Sequence, residues 1–467
     1  MAIDKIYNLG GLNYYINPLL RKDGEPIRAV NVDSYHYGEK AKRPGYITYL
    51  GTADGSAPTS LFVWHKRTTG TMMMYRASGS SLFYSIGGTQ AWTLATNGTI
   101  SPGAKVGYAL LDDTLIVGDG SGSTRYTTSG TEFTNATAAP VTNTLTEFEN
   151  RIYAGGTTNY IFYSTTGTAS NWTTDSSSIR IPGEGTVNMV ITANDRVVTS
   201  KSLGAMSRWD GYSRVTIPTE LGPSSAYSVA SREGYWFWLN QLGIYGYGGD
   251  RPELLSNAIQ PQIYNNSGSG ITSTVFRTAP GVTHKYDYYL AVGTVTDDYT
   301  YNTVSNCIIK YDYQKNEFLN YSYYNNPTAF LSFTDTSGAS RLIFGASGGQ
   351  CYEVVGTAVS DNGQPIEAQL EFVFTAGNPD LEKKFNWLKL FFNPGNEAQV
   401  QVAISDSFDT QTLQWYDLGD AYTGTILHRF PQGSSRGRFL FIRIREASTS
   451  NRFKFYGYSV DSDKIAE

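Results

Sequence analysis

The most constraining feature of this chain is a recurrence. An alternating apolar run, a turn, a second alternating run and a polar loop return roughly every 40 to 55 residues. One unit runs from Leu61-Phe62-Val63-Trp64 through Met72-Met73-Met74-Tyr75 to Ser81-Leu82-Phe83-Tyr84-Ser85 and Trp92. A second opens at Gly107-Tyr108-Ala109-Leu110-Leu111 and continues in Leu115-Ile116-Val117, and further openings fall near Leu145, Met189, Tyr227, Tyr286 and Phe330. Alternation with period two is the signature of half-buried strands, and this repeat length is that of a four-stranded propeller blade. The units carry no WD dipeptide and no kelch double glycine, so the expectation is an all-β, irregular β-propeller of about seven blades, with six to eight allowed. Stacked β-sandwiches are the competing architecture.

Composition points the same way. The chain of 467 residues has 35 tyrosines and 48 glycines, and only 16% of its residues are charged. Aromatic side chains pack well on pleats, and glycine supplies the positive φ of tight turns. An α/β enzyme fold is therefore disfavoured.

The rhythm stops at the turn-rich stretch Gly356-Thr357-Ala358-Val359-Ser360-Asp361-Asn362-Gly363. Beyond it the strands read longer and more strictly alternating. In Phe439-Leu440-Phe441-Ile442-Arg443-Ile444-Arg445, the residues Leu440, Ile442 and Ile444 are expected to face a core and Phe441, Arg443 and Arg445 to face outward. The expected organisation is an N-terminal arm over 1–50, a propeller over 51–356 and a C-terminal jelly-roll-like β-sandwich over 357–467. Breaks at Gly10-Gly11, Asn17-Pro18, Asp23-Gly24 and Arg43-Pro44-Gly45 suit an arm laid on the propeller that lends one strand to close its ring.

Catalytic chemistry is sought and not found. The four histidines, His36, His65, His284 and His428, stand at no metal-ligand spacing, and neither a nucleophile elbow nor a phosphate-binding loop is present. Asp112-Asp113 and Asp297-Asp298 are adjacent pairs; neighbours on a strand point to opposite faces, so neither pair alone can flank a glycosidic bond, and turns explain both. Ser405-Asp406-Ser407-Phe408-Asp409 faintly resembles an Asp-box but reads as a turn. Cys307 and Cys351 can pair in principle, with two free buried thiols the expectation in a reducing compartment. No cofactor or metal is expected. Aromatic clusters such as Tyr235-Trp236-Phe237-Trp238 suit either blade core or a sugar platform.

A net charge of −5 argues against binding that depends on neutralising many phosphates. The arginines Arg436, Arg438, Arg443 and Arg445 suit contact with DNA, with an acidic neighbour, or with solvent. No run is long and apolar enough to span a bilayer.

The opening Gly10-Gly11-Leu12-Asn13, then Asp23-Gly24-Glu25, Asn31 and Arg43-Pro44-Gly45, resembles the start of tailed-phage tail proteins. The end, with Val400 to Ile404, Ser405-Asp406, Trp415, Gly437 to Arg445 and Phe453-Lys454-Phe455-Tyr456-Gly457, is similar to the closing sandwich of tail hub or nozzle proteins of short-tailed phages. The resemblance implies a structural virion protein, made in the host cytoplasm. It would form a cyclic, six-fold ring below the head-to-tail connector, continue the DNA channel and help retain and deliver the genome. Its partners would be copies of itself, connector or adaptor proteins, other tail proteins and transiently passing DNA, with no membrane span and no catalytic residues. Phe441, Arg443 and Arg445 are the expected subunit contacts. The alternative from the residues alone is a carbohydrate-binding or carbohydrate-cleaving propeller that recognises a host surface.

Overall fold

The computed structural model describes residues 2–14, 21–35, 38–51, 53–156, 158–173, 177–264, 270–296, 303–395, 397–431 and 435–465. His36, Asp297 and Asp298 lie outside them. The fold is all-β. Six separate four-stranded antiparallel sheets are blades: 58–99, 107–135, 144–180, 187–217, 230–254, and 327–355 completed by Gly45–Tyr49. Between the blades 230–254 and 327–355 stands a further four-stranded meander, 281–322, packed against both. Its last strand, Glu317–Ser322, pairs through Arg28–Val30 with Ala368–Phe374, so this meander is one end of a nine-stranded sheet. The ring thus holds six free blades and one shared with the sandwich.

The alternation read from the sequence explains how the blades stack. Leu61, Met72 and Met74 of the first blade pack with Leu331 and Ile343 of the last, closing the circle. Phe330 and Phe344 likewise meet Tyr289 and Ile308 of the shared blade. Each interface buries one face of a twisted sheet against its neighbour, which is why the strands on both sides carry apolar residues.

The sandwich opposes the nine-stranded sheet to a seven-stranded one built on Lys383–Phe392 and Lys454–Lys464. Leu440, Ile442 and Ile444 join Leu388, Leu390, Phe455 and Val460 between the two sheets, as their alternation predicts. The same core continues to Tyr288, Leu290 and Ile309 of the shared blade. Propeller and sandwich therefore share one hydrophobic interior.

The first fifty residues are not an arm laid on the propeller. Ala2–Ile6 pairs with Lys454–Lys464 and Arg28–Val30 lies between blade and sandwich strands. Lys40–Lys42 joins the seven-stranded sheet, and Gly45–Tyr49 is the outermost strand of the last blade. The strand lent to close the ring is there, and the other described strands of the segment join the two sheets of the sandwich. The cause is local: these residues are too short and too broken by turns to fold among themselves, and each finds an open sheet edge. No helix among the described residues is long and apolar enough to cross a membrane.

Candidate functional site

Asn31 and Arg43-Pro44-Gly45 of the N-terminal segment converge on the seam between propeller and sandwich. Arg43 is fully buried, and its guanidinium donates five hydrogen bonds. Nη1 and Nη2 fork onto Asp361 at 2.7 and 2.6 Å, Nε reaches Asn31 Oδ1 at 2.8 Å, and the remaining N–H groups meet the carbonyls of Pro44 and Ser322, both at 2.9 Å. Its plane lies 4.4 Å from the Tyr323 ring centroid. Burial alone would lower the Arg43 pKa, but the Asp361 charge and hydrogen bonds hold it above its ordinary value. A paired, forked geometry of this kind is what allows a charge to sit without water.

Asn31 is the second hub. It adopts φ +56°, a left-handed conformation that asparagine tolerates, and its amide donates to Glu367 O at 2.8 Å while Oδ1 also accepts from Ser322 N–H at 2.7 Å. Gly45 has no freedom to carry a side chain, since a Cβ would collide with the Ser360 carbonyl oxygen. Gly24 is constrained in the same way by Asn8 O, and the neighbouring Asp23 accepts from Thr375 N–H at 2.8 Å.

Three more buried cations stitch the same seam. Lys40 pairs with Glu317 of the shared blade at 3.1 Å, and Lys42 pairs with Glu446 of the sandwich at 2.8 Å. Lys310 of the shared blade pairs with Asp33 at 2.5 Å and Asp287 at 3.2 Å. Burial pushes the Lys40 and Lys42 pKa down against the pull of their carboxylates, and pushes Asp287 up to about 6. Asp33 behaves oppositely: burial would raise it, but the charge and hydrogen bond of Lys310 hold it low. Three cations of the N-terminal segment and one of the shared blade thus tie that segment, the blade, the 356–363 turn and the sandwich into one body.

The expected subunit contacts separate. Phe441 is buried rather than outward, because the segment after Gln399–Ser405 folds back over the outer face of the nine-stranded sheet. Phe408, Leu413 and Trp415 cover it there, with Phe408 5.7 Å from both the Phe439 and Phe441 ring centroids. Arg443 is held too: Nε donates to Glu371 Oε1 at 2.7 Å and its guanidinium lies 3.6 Å from the Trp415 centroid. Arg445 is exposed, as are Arg436 and Arg438. Alternation correctly put Phe441 on the far face of its strand, and nothing in it reports what covers that face.

The other candidates have structural places. Asp113 accepts from Arg67 N–H and Thr68 N–H at 2.6 and 2.9 Å, and Asp112 takes φ +50° in a turn. Ser405, Ser407 and Asp409 accept backbone N–H bonds in successive turns. Phe237 and Trp238 are buried core, which leaves them no sugar to stack on. Cys307 and Cys351 are free and buried. His65 is exposed and His428 half-buried. Among the described residues no group of three or more His, Cys, Asp or Glu could hold a metal ion.

His284 is buried, with Nδ1 3.0 Å from Ser332 Oγ, and burial lowers its pKa from 6.5 to about 4. The unfolded chain then binds more protons across that window, so stability falls as pH drops from 6.5 towards 4. Replacing His284→Gln is expected to flatten the acid limb of a stability-versus-pH profile measured by urea unfolding. An unchanged slope would place the acid sensitivity elsewhere.

The propeller axis is occupied. Tyr227, in the short helical turn Ala226–Ser228, accepts from Asn143 Nδ2 at 3.1 Å, and Lys105 Nζ lies 4.2 Å from its ring centroid. Lys105 also donates to Thr278 O at 2.7 Å, at the end of the helix Ser273–Thr278. Beside Tyr227 a cleft of about 700 Å³ opens to solvent.

No family model matches this chain, and no curated protein matches it. Among solved structures it is similar to the computationally designed Ika8 protein, with 14% identity, 66% of this chain and 99% of that one covered, and a TM-score of 0.42. It is also similar to YCF48 bound to D1 peptide (9% identity, 69% and 99% covered, TM-score 0.42) and to YCF48 from Cyanidioschyzon merolae (10% identity, 66% and 98% covered, TM-score 0.43). At these values the likenesses carry nothing about what this chain does.

Proposed function

We propose that this chain is a structural protein of a short-tailed phage virion, a tail hub or nozzle subunit that forms a ring below the head-to-tail connector, continues the DNA channel and helps retain the genome. The observation that carries the reading is the convergence of Asn31 and Arg43-Pro44-Gly45 on one buried seam. Residues that carry the resemblance hold two modules together, as a particle component under the pressure of a packaged genome requires and a small-molecule enzyme does not. The low-charge, tyrosine-rich composition supports subunit contacts that desolvate few charges.

A closed ring needs two different faces of each subunit to meet. Arg445, exposed on the outer face of the nine-stranded sheet, remains the one expected contact residue free to make such an interface. Gold-labelled antibody against the chain is expected to mark the tails of intact virions. Arg445→Glu is expected to leave the melting temperature unchanged and reduce incorporation into tail-less particles. Unlabelled tails would overturn the reading, and normal incorporation of the variant would remove Arg445 from the interface.

A further inference from the structure

The cleft at the mouth of the propeller axis has a chemistry the assembly role does not use. Its rim includes Asn143, Asn188, Ser202, Ser224, Tyr227 and Arg277, and among the described residues no Asp or Glu lines it. In a chain of net charge −5, that is a local reversal of sign. Arg277 is exposed in the last turn of Ser273–Thr278 and makes no ion pair among the described residues. Lys105 stands on the other side of the aromatic wall, over the face of Tyr227.

A structural explanation covers part of this. Cations at a helix C-terminus are attracted by its free carbonyls, and Lys105 bonds to Thr278 O. The same attraction reaches Arg277 in the last turn, but it leaves that guanidinium lining the cleft with no carboxylate partner among the described residues. Nor does any carboxylate among the described residues pair with the half-buried Lys105, whose pKa desolvation lowers to about 7. An anion in the cleft would offset both charges. The cleft of about 700 Å³ is far larger than a phosphate, and its rim of amides, hydroxyls and one tyrosine suits a ligand with many hydroxyl groups.

We propose that this mouth binds the acidic end of a glycan, a uronate or sialate residue, with its carboxylate on Arg277 and its hydroxyls on the Asn, Ser and Tyr rim. This site is independent of the ring-forming role, and either stands if the other fails.

The test titrates the full chain with glucuronate and with N-acetylneuraminate by calorimetry, using glucose and inorganic phosphate as comparison ligands. At least one acidic sugar is expected to bind saturably, glucose not detectably, and phosphate more weakly than the sugar. Arg277→Gln is expected to weaken the sugar by about tenfold or more, the scale of one charged hydrogen bond. Its exposed position makes an unchanged melting temperature the expected folding control. At pH 8, titrations in two buffers of different ionisation enthalpy are expected to show proton uptake that Lys105→Met abolishes. Absence of saturable sugar binding, equal affinity in Arg277→Gln, or phosphate binding as tight as sugar would each overturn the proposal. Should Arg277→Gln fail to fold, the Lys105→Met proton count decides: uptake that persists overturns the site.

Discussion

Arg43→Ala is expected to lower the unfolding free energy by ~3–5 kcal/mol, the scale for removing one partner of a buried ion pair. The loss has three parts. Asp361 keeps a buried carboxylate with its forked donors gone, Asn31 Oδ1 loses the Nε bond, and the carbonyls of Pro44 and Ser322 lose theirs. Arg43→Lys is expected to recover only part of this, since an ammonium cannot fork onto a carboxylate or present a planar cation to the Tyr323 ring. Arg43→Met combined with Asp361→Asn should cost less than the sum of the single changes, because the second removes the charge the first strands. Urea unfolding of the wild type, Arg43→Ala, Arg43→Lys, Arg43→Met, Asp361→Asn and the double variant measures all of this. A loss under about 1 kcal/mol for Arg43→Ala, the range of exposed pairs, would mean the seam opens to water and is no clamp.

A larger effect is expected from deleting residues 1–50. An arm laid on a finished propeller could be removed without unfolding it. Here the deletion takes the outer strand Gly45–Tyr49 from the last blade and the strand Arg28–Val30 from between blade and sandwich. It also strands Glu317, Glu446 and Asp361 without their cations. The truncated chain is expected to show no cooperative unfolding transition and rapid proteolysis throughout. A truncated protein that keeps a single sharp transition would show that the propeller closes without its N-terminal strand.

The blades were legible because an apolar run bounded by turns is a local property: Leu61-Phe62-Val63-Trp64 and Met72-Met73-Met74-Tyr75 read as two runs of one unit, and they lie in the paired strands Pro58–Lys66 and Thr71–Ser78. Leu440, Ile442 and Ile444 were legible from alternation, which is equally local. What alternation cannot report is a second layer. Phe441 looked outward because the cover from Phe408 and Trp415 comes from a loop whose path no period encodes. The seam was half legible. Arg43-Pro44-Gly45 stood out as a fold element, but its partner Asp361 lies 318 residues away in a stretch that reads as an ordinary turn. The cleft at Arg277 was not legible, because the helix, the Tyr227 turn and the rim belong to segments with no common pattern.

The closing strand Gly45–Tyr49 leaves the ribosome well before its partner Cys351–Val355, which follows roughly 300 residues later. At ~5–20 residues per second of synthesis, the wait is on the order of 15–60 s. During that interval the strand has no ladder to join, and the five free-standing blades from 58 to 254 can stack one after another while the circle stays open. Closure is therefore a late event with a high cost in loop entropy, and the opening segment spends its first minute as an unpaired edge that a chaperone or a second nascent chain could meet before its own partner exists.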